Sequence, residues 1–293
     1  MYLLISQETI CRYSNPVRLA RLEHRVFPVT SPEQEILRFG AQIRPEGRCL
    51  ESNDAWGNRM RVIVWDAPID SWKLSISIFA NTVRENPFDF PPDAADRPVP
   101  SNADEFPPET RAYLKWSKDP LDGIPAVTEW ARHLTASIPG AFGKIQAVMT
   151  WIHREFEFRK GQTDIKTTPD EVLRLRRGVC QDFATLLICA TRSLGLPARY
   201  VSGYVYEGPC ANRRDPAPTG HGWAEVYFPN VGWRGFDALN GILACGTHVR
   251  VAHGRWFADC APVIGRLPGP AIGQTTETRI SVDRADASGR NAE

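Results

Sequence analysis

The spacing of apolar residues changes period twice along this chain, and that limits what it can fold into. From residue 1 to about 85, short runs bounded by turn residues read as strands: Tyr2–Arg12, Val17–Val26, Ile36–Ile43, Arg59–Trp65 and Trp72–Val83. Lys73-Leu74-Ser75-Ile76-Ser77-Ile78 alternates polar with apolar, as a sheet with one buried face requires. From about 109 to 194 the interval becomes three and four, so helices are predicted over Glu109–Ser117, Ala126–Ser137 and Ala141–Phe156. A further helix starts with Thr168 as N-cap and Pro169 in its first position. Beyond Pro197 alternation returns in Ala198–Tyr206, Gly222–Phe228 and Gly232–Phe236, with Val249–Val251 and Thr276–Val282 to complete an antiparallel sheet. Strands, then helices, then strands predict an α+β chain: an N-terminal β-sandwich-like domain, then helices packed on an antiparallel sheet.

The expected divisions are a β-rich domain at 1–85, a proline-rich linker or arm at 86–108, a second domain at 109–283 and a small polar tail without regular structure at 284–293. With 35 basic and 34 acidic residues, a general polyanion-binding role, and with it nucleic acid, is not expected. No apolar run approaches the roughly 18 residues of a membrane helix, so no membrane partner is expected. The N-terminus lacks a basic n-region and does not read as a signal peptide. Seven scattered cysteines, odd in number and without CxxC, argue for a reducing compartment, here the cytoplasm.

Within this frame one junction carries chemistry. Arg177-Gly178-Val179-Cys180-Gln181-Asp182-Phe183-Ala184 reads as a loop that delivers a cysteine to the first turn of a helix. Phe183, Leu186, Leu187, Ala190 and Leu194 line one face of that helix, and Gly195 with Pro197 ends it. A thiol there meets unpaired N–H groups that favour the thiolate and can bind a developing oxyanion. The plain alternative is a small buried core residue. Nucleophilic catalysis also needs a histidine to hold the proton and a carboxylate to orient that histidine. His221, opening a strand, and Asp237, ending the next, fit those roles, since a hairpin can bring such positions together. From spacing alone, Asp237 can equally cap a turn and His221 can be a loop histidine.

The runs Gly-Val-Cys-Gln-Asp-Phe-Ala at 178–184, Gly195-Leu196-Pro197-Ala198-Arg199-Tyr200-Val201-Ser202-Gly203-Tyr204, His221-Gly222-Trp223-Ala224-Glu225-Val226-Tyr227 and Gly232-Trp233-Arg234-Gly235-Phe236-Asp237 resemble the bacterial transglutaminase-like family. The β-rich start, with Asp54-Ala55-Trp56-Gly57-Asn58, is similar to the N-terminal region that accompanies this core. The resemblance covers roughly residues 1–283. It implies a papain-like core with Cys180 as nucleophile, His221 as base and Asp237 as orienting acid. Gly222 and Ala238 depart from the family's usual alanine and proline. Gln162 is a candidate second oxyanion donor beside the Cys180 N–H. Gln181 and Asp182 are read as holding the loop, and Trp223 as packing beside the imidazole.

The resemblance further implies cysteine-dependent acyl transfer on an amide or peptide bond through a thioester. The acceptor is water in a peptidase or amidase and an amine in a transglutaminase; hydrolysis is the expected outcome. No cofactor is expected. Cys245, His248 and His253 are a weak zinc set with no second cysteine pair, and no loop has the clustered oxygens calcium needs. His248, His253 and His24 are read as structural. The partner is a peptide, protein or small amide substrate, with 86–108 and 207–219 as segments that border the cleft. The rival from another class is a non-catalytic scaffold that retains the fold.

Overall fold

The computed structural model describes residues 1–18, 20–95, 97–208, 220–267 and 273–291. Six strands come first along the chain: β1 (Tyr2–Val17), β2 (Arg21–His24), β3 (Gln34–Arg44), β4 (Arg48–Asn53), β5 (Arg59–Val64) and β6 (Ile69–Thr82). Alternation decides their faces. Leu3, Ile5, Gln7, Thr9 and Cys11 of β1 turn inward, as do Trp72, Leu74, Ile76 and Ile78 of β6.

The middle of the chain supplies α1 (Pro92–Ala95), α2 (Pro108–Arg111), α3 (Pro125–Thr135), α4 (Ala141–Glu155), β7 (Glu157–Phe158), α5 (Pro169–Leu175), β8 (Arg177–Gly178) and α6 (Cys180–Ser193). The proline-rich arm lies along this layer. Phe90 packs on Phe142 of α4 with ring centroids 5.2 Å apart, and the Arg97 carbonyl accepts from Ala141 N–H. The helix expected over Glu109–Ser117 is corrected to the single turn of α2. Asp122 Oδ2 accepts the Trp116 N–H at 2.8 Å, so a side chain takes a donor the helix would have used.

After α6 come β9 (Ala198–Val205), β10 (His221–Phe228), β11 (Gly232–Asp237), β12 (Ile242–Ala244), β13 (His248–Gly254), α7 (Phe257–Cys260), β14 (Val263–Arg266) and β15 (Gln274–Ala285). Strands β9 to β13 form one antiparallel sheet in the order β12-β11-β10-β9-β13, with α6 packed across β10 and β9. Its two edge strands are joined by only Cys245, Gly246 and Thr247. In a flat five-stranded sheet the edges lie about 19 Å apart. The four steps from Ala244 to His248 reach about 14 Å at most. The sheet therefore curls until its first and last strands approach each other.

Strand β15 does not complete that sheet. It pairs with β1 from Tyr2↔Ala285 to Tyr13↔Gln274, giving a sheet ordered β15-β1-β6-β3. The other N-terminal sheet, β14-β2-β5-β4, also takes a late strand. The reading of Thr276–Val282 is corrected accordingly. Period-two alternation specifies a face but no address, and the polar run Gln274–Thr278 suits an outer position. The expected unstructured tail is corrected too: β15 continues to Ala285, and Asp286 accepts from the Ser288 and Arg290 N–H groups to close a turn.

Two side-chain amides bind the N-terminal half to β13. Gln34 donates to the Arg250 carbonyl and accepts its N–H, both at 2.8 Å. Asn58 does the same at His253, at 2.6 and 2.8 Å. Asn58 is held in turn by Asp54, which explains the Asp54–Asn58 motif. No helix among the described residues is long and apolar enough to cross a membrane.

His24 is fully buried, stacks on Phe27 and has no hydrogen-bond partner on either ring nitrogen. Burial first, then Arg61, pushes it down to about 4, so it is neutral when folded. The unfolded chain takes up a proton as pH falls through about 6.5, and the folded chain resists until about 4. The stabilisation is complete above that window and is lost on acidification, by about 3 kcal/mol at the low end. Urea unfolding at neutral pH and near pH 4.5 should show a clearly smaller acid loss in His24→Leu than in wild type. Equal losses would exclude His24 as the source.

Candidate active site

The cysteine-bearing junction is fixed from both sides. Parallel pairing of β7 with β8 sets the approach, and the Gly178 carbonyl accepts from Arg159 N–H at 2.8 Å. A Cβ at Gly178 would sit 2.5 Å from Asp182 Oδ2, so only glycine allows this close approach. Asp182 Oδ2 accepts from Val179 N–H at 2.8 Å and from the Thr163 hydroxyl at 2.6 Å. The helix thus begins at Cys180, half-buried, with its sulfur free of any disulfide.

His221 opens β10 and Asp237 ends β11. The hairpin register, Ala224↔Phe236 to Phe228↔Gly232, sets the two on neighbouring strands at the same end. His221 Nε2 meets Asp237 Oδ2 at 2.8 Å. That leaves Nδ1 free of Asp237, and Cys180 is the next group that raises the imidazole's affinity for a proton. Burial alone would lower the imidazole's affinity for a proton. Asp237 and then Cys180 outweigh it and hold His221 well above the usual histidine range. Trp223, buried, stacks on the His221 ring at a centroid distance of 6.1 Å.

Asp237 is fully buried, and burial would raise it; His221 and His248 instead hold it well below the usual carboxylate range. Its Oδ1 accepts the N–H groups of Leu239 and Asn240, both at 3.1 Å. Its Oδ2 takes Asn240 Nδ2 at 2.8 Å and His248 Nε2 at 3.3 Å besides His221. The ligand-type atoms of His221, Asp237 and His248 lie within 4.8 Å of one another, a spacing a divalent ion can bridge. Each histidine is instead hydrogen-bonded to Asp237. The weak zinc set is taken apart by the fold: His253 is separated from His248 along β13 and lies near Arg199, Glu225 and Asp54.

Gln181 is half-buried in the first turn, and its carbonyl accepts the Thr185 hydroxyl. Gln162 lies on an exposed loop beside Thr163 and Asp164, with no hydrogen bond to the other site residues among those described. The stretch 209–219, most of the loop expected to border the cleft, and Cys210 lie outside the described residues. A Cβ at Gly222 would overlap the Tyr200 hydroxyl and lie 2.6 Å from the ring carbon Cζ. The glycine that departs from the usual alanine therefore makes room for a buried tyrosine. His248, Asn240 and Tyr200 were not legible as site residues. Asn240 had one signal, its place three residues after Asp237 in a turn.

Residues 128–238, which hold the whole Cys180–His221–Asp237 constellation, match the transglutaminase-like superfamily, and residues 3–80 match the bacterial transglutaminase-like N-terminal region. The chain's core is that of the transglutaminase-like superfamily. An uncharacterized protein of Mycobacterium bovis is 40% identical over 120 residues, 39% of this chain and 38% of its own length. One from Mycobacterium leprae is 30% identical over 131 residues, 43% of this chain and 44% of its own. The transglutaminase-like chain thus spans less than half the length of these curated relatives. A crystal structure from Cytophaga hutchinsonii, of a protein provisionally described as a cysteine protease, superposes with a TM-score of 0.78 at 20% identity. It covers 100% of this chain and 94% of that one, which shows a shared fold from the N-terminal strands through the transglutaminase-like core.

Proposed function

We propose that this protein is a cysteine-dependent acyl-transfer enzyme acting on amide or peptide bonds, with water as the usual acceptor. The observation that carries the reading is the position of His221, with Nε2 on Asp237 at 2.8 Å and Cys180 close enough to raise its affinity for a proton. The sulfur of Cys180 attacks the amide carbonyl and a C–S bond forms. Negative charge gathers on the carbonyl oxygen, where the N–H groups opening α6 support it. Collapse breaks the C–N bond, and the imidazolium of His221 gives its proton to the departing amine. Water, deprotonated by the same imidazole, then cleaves the thioester and regenerates the thiol. An amine in place of water makes the reaction a transamidation.

The test gives wild type and Cys180→Ala a glutamine-containing peptide library, with and without a labelled primary amine. Peptide cleavage, ammonia release and amine incorporation are followed together. The expected result is cleavage or ammonia release in wild type, little incorporation, and neither signal in the variant. Incorporation as the main channel would replace hydrolysis with cross-linking. Silence in all three from a wild-type protein with an unreactive thiol would favour the scaffold.

A further inference from the structure

His248 belongs to no element of the cysteine-bearing junction or the β10–β11 hairpin. It opens the strand at the opposite edge of the sheet, yet it reaches Asp237 because the sheet curls. Its ring is almost wholly buried, edge-on to Trp223 with centroids 5.1 Å apart, and 6.3 Å from the His221 ring. Asp237 is ionised and can only accept, so Nε2 of His248 is an N–H donor to Oδ2. On the other side of the ring the Thr247 hydroxyl lies 3.0 Å from Nδ1, to which it donates when the ring is uncharged. A hydroxyl donor there selects the tautomer that carries its proton on Nε2.

We infer that His248 is a positioning residue for the proposed reaction: an uncharged imidazole that, locked by Thr247, donates to Asp237 Oδ2 and fixes the carboxylate against His221. One oxygen then carries three side-chain donors, from His221, His248 and Asn240. The other oxygen is spent on two backbone N–H groups, so the carboxylate cannot rotate without breaking several bonds at once. His221 inherits that rigidity, and Cys180 inherits it from His221.

Other groups facing His248 must be weighed. Asp237 and Glu225 favour a proton on it, while His221 opposes one. Arg250 of its own strand and Glu33 and Arg84 of the N-terminal half line the small cavity beside it. Burial outweighs them and keeps His248 below the usual histidine range, consistent with an uncharged ring. The two histidines on one carboxylate therefore differ, His221 holding a proton readily and His248 not.

The test reads the thiol directly and needs no substrate. The rate of Cys180 alkylation by iodoacetamide is measured against pH in wild type, His248→Leu and His248→Gln, with folding checked by near-UV circular dichroism. His248→Leu should slow alkylation about tenfold near neutral pH and displace the profile, since a misplaced base no longer favours the thiolate. His248→Gln, which offers a side-chain N–H at a similar reach, should return to within about threefold of wild type. A folded His248→Leu whose profile overlies that of wild type would overturn the assignment. Should that variant not fold, nitrogen-15 NMR of the wild-type histidines decides. An uncharged Nε2–H tautomer for His248 through about pH 6 to 8 is required, and a cationic ring or an Nδ1–H tautomer there overturns it. A wild type with a fast, His248-dependent thiol but no amide turnover would sink the acyl-transfer reading and leave this positioning intact.

Discussion

Asparagine at position 237 is expected to cost about three to four orders of magnitude in turnover, the scale on which a misassigned histidine tautomer acts. The reason is a count of donors. Asp237 receives two backbone N–H groups on Oδ1 and three side-chain donors on Oδ2. An amide can accept on one side only. With its NH2 toward His221, donor faces donor, and the imidazole must present its unprotonated nitrogen to the amide. The proton then sits on the nitrogen that should receive one from Cys180. With its NH2 toward Leu239 and Asn240, two backbone donors lose their acceptor in a fully buried place, at about 1–3 kcal/mol each. Steady-state rates on the best amide substrate, set beside a urea melt, separate the two effects. A variant with wild-type turnover would show that the carboxylate does not orient His221.

The largest loss of stability is expected from Arg192→Met. Arg192 lies at the far end of α6 from Cys180, with its guanidinium fully buried. It donates to the carbonyls of Tyr113, Ala198 and Arg255 and to Asp122 Oδ1 at 3.1 Å, and lies 4.1 Å from the Trp256 ring centroid. Burial pushes it down to about 9, against the pull of Asp119, so it stays charged at neutral pH. Methionine fills most of the volume but takes a donor from three carbonyls and from a buried carboxylate, of which the Tyr113 carbonyl keeps the Ala198 N–H. Removing one partner of such a pair costs about 3–5 kcal/mol, or roughly 10 °C in melting temperature for a chain of this size. Calorimetry on wild type and variant measures it. A midpoint unchanged within about 2 °C would mean that the acceptors find other donors.

The layout of the candidate site was legible where local rules suffice. A cysteine beginning a helix, a histidine beginning a strand and an aspartate ending its partner each follow from pattern and turn chemistry. Hairpin geometry supplies the rest. The polar shell around Asp237 was not legible. His248 comes from the opposite edge of the sheet, and no spacing rule announces that a three-residue link forces the edges together. His253, five residues along the same strand, looked equally eligible and is engaged elsewhere. The N-terminal strands were readable from alternation, but the partner of β1 was not. Gln274–Ala285 carries little apolar signal, only Ile280 and Ala285 among its residues being buried. Gly222 was visible as an oddity whose meaning needed Tyr200 beside it.

The pairing of β1 with β15 joins the opening of the chain to nearly its last described residues. During synthesis, β1 emerges long before the strand that will cover its outer edge, and β2 waits similarly for β14. Contacts so distant along the chain slow folding, because each must close a loop that contains most of the protein. The early product is thus a half-built pair of sheets with open edges, while the segment from α3 to β13 holds its own local contacts. The helical and hairpin region around Cys180 has the means to form first, and the N-terminal sheets close around it when the final strand arrives. A ribosome stalled before residue 274 would hold a chain whose candidate triad is already encoded, but whose first strand is still exposed to any other strand it meets.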